Sequence, residues 1–245
     1  MKKLVLLFVV IGLIGSTQAA LDVFNYDFDH LTVGAINGQD GWTTTSGNVI
    51  DLGGGDLALQ VPAGTSYTQL VNAFVLTEEM DAVQADFRYF TGANNVTMRL
   101  YLAGTDSKKT PFFGFNGGQL EVRTVKNNGT VFDSVVQEAA PVTFDSGDWV
   151  TLRMTFDGDN KTATVSYKNL TDGETEFTDI AALSGNLGFT DITDMSAYLK
   201  VFTSLTVRCD GGNSIRAIDN IAVSVPEPAT MVLLGLGSML LRRRK

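Results

Sequence analysis

The residues of this chain with chemical potential are mainly aspartates and aromatics, because histidine and cysteine are nearly absent. There is one histidine, His30, and one cysteine, Cys209. Any Ser-His-Asp relay has to be built around His30, which lies in Asp27-Phe-Asp-His30. Cys209 precedes Asp210-Gly-Gly, and no second histidine exists to activate it. Zinc needs more nitrogen and sulfur ligands than these. Glu78-Glu79-Met-Asp81 is rich in acids. It reads as a turn, and its spacing does not set two carboxylates on one strand face across a bond to be cut. No residue set nominates a catalytic centre, so the expectation is a non-catalytic protein.

Two other chemistries have candidates. In Ile215-Arg-Ala-Ile-Asp219-Asn-Ile-Ala-Val-Ser-Val225 the odd positions are apolar except Asp219. An acid on the buried face of a strand is costly unless it meets a cation or several donors. Asp27 and Asp29, read on one face of the first strand, reach Asp219 if the first and last strands pair. Oxygen ligands of this kind suit structural Ca²⁺ outside the cell. The alternative is that Asp219 caps a bulge while Asp27 and Asp29 face water. For sugar binding, flat rings are needed, and Trp42, Trp149, Tyr67 and Tyr101 are candidates. Trp149 starts a strand on the face opposite Val150, Leu152 and Met154, and so is expected to point outward. Trp42 follows the Gly38-Gln-Asp-Gly41 turn, a position suited to a core plug as well as to a platform.

The elements that position these residues are strands. Val83, Ala85, Phe87 and Tyr89 alternate with Gln84, Asp86 and Arg88. Val150, Leu152, Met154 and Phe156 alternate with Thr151, Arg153 and Thr155, and a similar pattern runs through Val96–Leu102 and Ala163–Tyr167. Period-two patterning of this sort predicts half-buried antiparallel strands. Asn116-Gly-Gly, Asn127-Asn-Gly129, Asp157-Gly-Asp-Asn160 and Asp210-Gly-Gly-Asn213 supply turns. The firmest local expectation is a hairpin through Asp157–Asn160. Helical periodicity is scarce; Thr77–Val83 and Asp191–Ser196 have room for one turn each. A dozen or so short strands in one domain imply an all-β, two-sheet antiparallel sandwich.

Both ends read as export segments. Lys2 and Lys3 precede the apolar run Leu4–Gly15, followed by Ser16-Thr17-Gln18-Ala19-Ala20. This predicts a signal peptide over residues 1–19, with Thr17 and Ala19 guiding a cut after Ala19 and Ala20 as the rival site. At the other end, residues 225–245 join Pro226-Glu227-Pro228, an uncharged run from Ala229 to Leu241, and the basic stop Arg242, Arg243, Arg244 and Lys245. Thirteen residues are short for a transmembrane helix. Snorkelling bases offset part of the deficit, and the positive end is expected to stay cytoplasmic. Pro226 and Pro228 keep Glu227 extended, as a processing enzyme requires. The domain is expected to span residues 20–224.

Without these segments the 18 bases and 27 acids become 12 and 26 over residues 20–225, a net charge of −14. Such a domain is a poor partner for nucleic acid. A lone cysteine excludes an internal disulfide, and about 200 residues are ample for one full core.

Val225-Pro-Glu-Pro-Ala-Thr230, the apolar run with Gly235 and Gly237, and Arg242-Arg-Arg-Lys245 resemble a PEP-CTERM sorting signal. That resemblance implies a membrane exosortase that recognises the Pro-Glu-Pro segment and removes the tail. Tyr26-Asp-Phe-Asp-His-Leu31 with Gly38-Gln-Asp-Gly-Trp42, Asp148-Trp-Val-Thr-Leu-Arg-Met-Thr-Phe-Asp157 and Ala217-Ile-Asp-Asn-Ile-Ala-Val223 are similar to concanavalin A-like (LamG-type) jelly rolls. That fold serves lectins, carbohydrate-binding modules, glycosidases and adhesion domains, so it implies architecture more than activity. The expectation is a protein exported by the general secretory route, cut by signal peptidase and held briefly in the membrane by its tail. It is then sorted to the cell surface or an extracellular matrix, in contact with extracellular polysaccharide. The alternatives are a glycan-active glycosidase or lyase, and a purely structural matrix component.

Overall fold

Alternating apolar and polar residues become ladders wherever a neighbouring strand can cover the apolar face. The computed structural model describes residues 20–44, 47–60, 66–70, 74–89, 97–103, 111–116, 119–123, 135–139, 144–180, 189, 192–210 and 216–226. Thr17, Ala19, Glu227, Pro228, Arg242, Arg243, Arg244 and Lys245 lie outside them; Pro226 is the last residue inside. The strands are β1 (Ala20–Tyr26), β2 (Gly34–Ala35), β3 (Trp42–Thr44), β4 (Asn48–Gly53), β5 (Asp56–Gln60), β6 (Ser66–Leu70), β7 (Ala82–Arg88) and β8 (Thr97–Ala103). They continue with β9 (Phe112–Asn116), β10 (Gln119–Arg123), β11 (Val135–Ala139), β12 (Trp149–Asp157), β13 (Thr162–Asn169), β14 (Thr178–Asp179), β15 (Ser204–Asp210) and β16 (Ala217–Pro226).

Two antiparallel sheets form a jelly-roll sandwich. The first runs β14-β13-β12-β7-β16-β5-β4-β2, with β1 also paired to β16. The second runs β11-β10-β9-β8-β15-β6-β3. Between them lie Val83, Ala85 and Phe87 of β7, Val150, Leu152 and Met154 of β12, and Val165 of β13, all essentially buried. The second sheet answers with Leu100, Phe113, Phe115, Leu120, Val122, Leu205 and Val207. Rings lock the layers together edge-on: Phe87 meets Phe113 at 5.8 Å and Phe115 at 6.0 Å. Each fully buried side chain of this size contributes about 1.5–3 kcal/mol, and edge-to-face pairs add to that.

The expected hairpin forms between β12 and β13, with Asp157 opposite Thr162. Its turn is closed by local chemistry. Asn160 donates its main-chain N–H to Asp157 Oδ1 at 2.9 Å and its amide to Oδ2 at 2.7 Å. In place of the turn expected over Asp191–Ser196, a helical turn forms four residues later as α1 (Met195–Leu199), capped where Asp194 accepts from Ala197 N at 2.9 Å. Thr77–Val83 is no helix; Thr77 and Glu78 form a bend and β7 begins at Ala82. Strand β16 continues to Pro226, two residues past 224.

Trp42 is a core residue and not a ligand platform. It is fully buried, 5.5 Å from Phe28 and 5.8 Å from Tyr26. The turn before it, closed by Trp42 N donating to Gln39 O at 2.8 Å, drives the indole inward. A ring with no exposed face cannot stack on a sugar.

Candidate functional site

Strand β16 has β7 along one edge and two different strands along the other. β5 pairs with its first residues, Ala217 and Ile218. β1 pairs from Ile221 to Pro226. Where one partner gives way to the other, β16 bulges: Asp219 is opposite Asp86 and Ala222 opposite Gln84, so one extra residue is accommodated. Asn220 takes up the strain at φ 45°, a conformation asparagine tolerates.

The bulge also changes which way side chains face. Ile218 pairs with Phe87 and Val223 with Val83, both core residues. Asp219 pairs with Asp86 on the opposite, outer face. The run of odd apolar positions therefore misplaces Asp219: it shares their parity, but the inserted residue puts it on the opposite face from Ile221, Val223 and Val225. It is nonetheless only 4 % exposed, and Asp86 is 7 % exposed, because neighbouring strands overhang them.

The two acids share donors. Asn220 donates its amide to Asp86 Oδ2 at 2.9 Å and to Asp219 Oδ2 at 3.3 Å. Its main-chain N–H reaches Asp219 Oδ1 at 2.7 Å, and Thr151 Oγ1 donates to Asp86 Oδ1 at 2.6 Å. Burial pushes the Asp219 carboxyl up to about 8 despite the Asn220 hydrogen bond, and the charges of Asp56, Asp86 and Asp29 add to the rise. Burial also raises Asp86, partly countered by hydrogen bonds from Thr151 and Asn220.

These groups line a hollow of about 260 Å³ on the outer face, together with Leu52, Asp56, Leu170, Thr171 and Trp149. Trp149 stands, as expected, on the side of β12 away from the core, partly exposed. Its main chain is clamped: Trp149 N donates to Thr171 Oγ1 at 2.9 Å, and Leu170 N to Trp149 O at 2.9 Å. The same indole and Leu52 border a second hollow of about 390 Å³ with Ile50, Asp51, Gln60 and Arg88. Trp149 is thus a wall between two depressions of mixed polar and apolar lining.

Further along the face lies a third hollow, about 280 Å³, lined by Asp22, Asp81, Gln84, Arg153, Thr155 and Ser224. Arg153 donates Nε and Nη2 to Gln84 Oε1, at 3.0 and 2.8 Å, and lies 3.8 Å over the Phe177 ring. Burial lowers its guanidinium, and the carboxylates of Asp22 and Asp81 oppose that. Trp149, Thr151 and Arg153 alternate along one face of β12, so the hollows follow one another over a distance of roughly 13 Å.

First and last strands do pair, but Asp27 and Asp29 do not stand on a face of the first strand. β1 ends at Tyr26, so Asp27 and Asp29 sit in the turn beyond it, where Phe28 has φ 62°. Asp27 Oδ1 accepts from Asp29 N at 3.2 Å and lies 3.7 Å from His30 Nδ1. Asp29 Oδ1 accepts from Leu57 N at 2.8 Å, tying the turn to β5. Among the described residues, no group of three or more His, Cys, Asp or Glu side chains is arranged to hold a metal ion. His30 faces carboxylates, with Nε2 3.0 Å from Asp40 Oδ2, which also accepts from the Tyr26 hydroxyl at 2.9 Å. Those two hydrogen bonds hold the Asp40 carboxyl below its usual range.

The structure therefore brings together Trp149 and Asp219, candidates for two different chemistries, and leaves out Trp42 and Asp27. The side chains of Tyr67 and Tyr101 lie outside the described residues. Asp86 and Asn220 were not anticipated. Asp86 is an outward residue in the pattern of β7, and nothing local reveals that β16 will cover it. Asp-Asn inside an apolar strand was the one available hint of a bulge.

Comparison with known proteins agrees with this architecture. The botulinum neurotoxin serotype G binding domain is 10 % identical with a TM-score of 0.51, over 86 % of this chain and 50 % of its own. The chain thus spans about half the length of that domain. Xylan β-1,4-xylosidase from Bacillus halodurans C-125 is 12 % identical with a TM-score of 0.51, over 82 % of this chain and 39 % of its own. Lectin II from Ulex europaeus is 14 % identical with a TM-score of 0.46, over 83 % of this chain and 98 % of its own. At such identities the likeness to the binding domain and the xylosidase is one of fold. No curated protein sequence matches the chain. Among the described residues no helix is long and apolar enough to cross a membrane. Residues 224–245 match the PEP-CTERM protein-sorting motif. The chain is an all-β sandwich carrying a PEP-CTERM sorting motif, which marks it for export, a membrane-anchored intermediate and exosortase processing.

Proposed function

We propose that this protein is a non-catalytic, surface-sorted module that holds extracellular polysaccharide on the outer face of its first sheet. The reading includes a signal peptide over residues 1–19, a domain over about 20–226, and the cell surface or matrix as destination. The observation that carries it is Trp149. A partly exposed indole with a clamped backbone, between two hollows of mixed polar and apolar lining, offers a flat apolar face with hydrogen-bonding groups on both sides. Sugar rings ask for that combination: an apolar face for stacking and an equatorial rim of hydroxyls for hydrogen bonds. Asp86, Asn220 and Gln60 supply acceptors and donors beside the ring. Bound glycan is then anchored outside the cell by a domain that the sorting tail has delivered there.

One observation favours a glycan-active enzyme as second reading. Asp219, pushed up to about 8 by burial, is paired with Asp86 across the ladder, and neighbouring carboxyls in a hollow are what glycosidases use for acid and base roles. Residues 20–226, purified and tested by glycan-array binding and by a hydrolysis screen on the same glycans, separate the two. Binding lost in Trp149→Ala, with no turnover, supports the module. Turnover abolished by Asp219→Asn overturns it. Silence in both assays favours a purely structural matrix component.

A further inference from the structure

Two alanines stand on the outer face of the first sheet, where strand positions are usually polar. The ladders set Thr155 of β12, Ala82 of β7, Ser224 of β16 and Asp22 of β1 side by side in one row. The next row is Arg153, Gln84 and Ala222. Ala82 and Ala222 alternate with the core residues Val83 and Val223 and so face outward. They are nonetheless only 7 % and 6 % exposed, because the side chains around them stand higher. This produces the third hollow, about 280 Å³, floored by alanine and walled by groups that can hydrogen-bond.

Its walls are fixed in place and open toward a ligand. Arg153 is anchored by two hydrogen bonds to Gln84 Oε1 and by the Phe177 ring 3.8 Å below its guanidinium. Among the described residues, its remaining N–H groups have no partner. Ser224 is only 8 % exposed; its carbonyl accepts from Asp81 N at 2.8 Å, but its hydroxyl has no partner among the described residues. The Thr155 hydroxyl is in the same position. Burial raises the Asp81 carboxyl, and the charge of Arg153 works against that rise. A polar side chain buried without a partner is costly unless something that enters the hollow supplies one.

We infer that the Arg153 hollow is a second sugar subsite, taking an uncharged, hydroxyl-rich ring of the same polysaccharide chain that stacks on Trp149. This rests on the reading of Trp149 as a glycan platform. The mixture of charges selects the class. A uronate carboxylate suits the guanidinium edge but meets Asp22 and Asp81. An ammonium suits those two and meets Arg153. A sugar hydroxyl both donates and accepts, so a neutral ring uses every wall without burying an unpaired charge. Adjacent hydroxyls also match the planar fork of a guanidinium. Trp149 and Arg153 lie four residues apart on one face of β12, roughly 13 Å, which is farther than one ring reaches. Between them the row of Thr151, Asp86 and Asp219 is buried. Only an internal stretch of several units, lying along β12 and crossing that row, fills both subsites.

The test measures binding of the full chain, purified in detergent, to dimers and hexamers of β-1,4-linked glucose, xylose and mannose. Oligogalacturonate and chitosan hexamers are the anionic and cationic counterparts. A neutral hexamer is expected to bind about tenfold or more tighter than its dimer. Arg153→Lys keeps the charge but not the fork, and should weaken the hexamer about tenfold while leaving the dimer unchanged. Ser224→Ala removes a hydroxyl that holds nothing in the fold. Its Tm should match wild type while hexamer affinity falls about threefold to tenfold. Equal losses for dimer and hexamer in these variants, or no loss, overturn the second subsite. Tighter binding of the oligogalacturonate or chitosan hexamer overturns the neutral class. Hexamer binding lost in Trp149→Ala but untouched in Arg153→Lys leaves the Trp149 platform standing alone. Binding of none of these glycans defeats the platform and the second subsite together.

Discussion

Asp219 and Asp86 face each other across β16 and β7, and a single amide nitrogen, that of Asn220, lies within 3.3 Å of the first and 2.9 Å of the second. Two buried acids are tolerated side by side because one residue in a bulge supplies donors to both, and because one of the acids is held protonated. Stability and pH response on this face both depend on that arrangement.

Stability should fall as pH rises from about 4 to 8. The Asp219 carboxyl is pushed up to about 8 in the folded protein, against about 3.9 in the unfolded chain. Between those values the folded state holds a proton that the unfolded state has lost, so folding is favoured by acid. Asp86, also raised, acts in the same direction. A melting series should show Tm dropping by about 5 °C or more across this range, with Asp219→Asn flattening the slope. Parallel slopes in the two proteins would rule out Asp219 as the source.

Removing the shared donor should be costly. Asn220→Ala leaves both acids short of a partner in a buried site, for about 1–3 kcal/mol, and loses a residue suited to φ 45°. Denaturant unfolding measures the loss. An unchanged unfolding midpoint would show that neither acid depends on the amide.

The two tryptophans should behave oppositely. Trp42→Ala removes a fully buried ring from the Tyr26–Phe28 cluster and should cost about 3–5 kcal/mol. Trp149→Ala, on the outer face, should leave Tm within a few degrees of wild type and abolish glycan binding. A stable Trp42→Ala protein would contradict the core assignment.

On the outer face of the second sheet, Glu121 is only 2 % exposed and accepts from Arg99 Nη2 at 2.8 Å, with the guanidinium 5.0 Å from the Phe112 ring centre. Arg99→Met should cost about 3 kcal/mol by leaving a buried charge undercompensated, and adding Glu121→Leu should recover most of that. A double-mutant cycle without such recovery would locate the cost in the lost cation–π contact instead.

Millimolar calcium should leave Tm unchanged relative to chelator, since Asp27 and Asp29 already accept hydrogen bonds in the turn beyond β1 and Asp219 accepts from Asn220 in the bulge. A clear calcium-dependent rise in Tm would place oxygen ligands elsewhere in the chain.

Legibility followed the range of the interaction. Alternation along β7, β12 and β13 is a local signal, and so is the Asp157–Asn160 turn, whose side chain and main chain close it within three residues. Asp219 was recognisable as an unusual acid, but its face was misread, because one inserted residue reverses every side chain beyond it. Asn220 reaches Asp86 across 134 positions, a contact that exists only once the last strand has chosen β7 as its neighbour.

The amino-acid sequence by itself determined the strands, the hairpin and the sorting tail. Each depends on neighbours in the chain: side-chain alternation, turn residues, and a segment read by another enzyme in extended form. Tertiary structure alone decided that Trp149 and Asp219 share one hollow, that Trp42 is sealed, and that Ala20 and Pro226 are partners. Those outcomes follow from strand order and register. They are set by how the two sheets bury their apolar faces together, which no local pattern encodes.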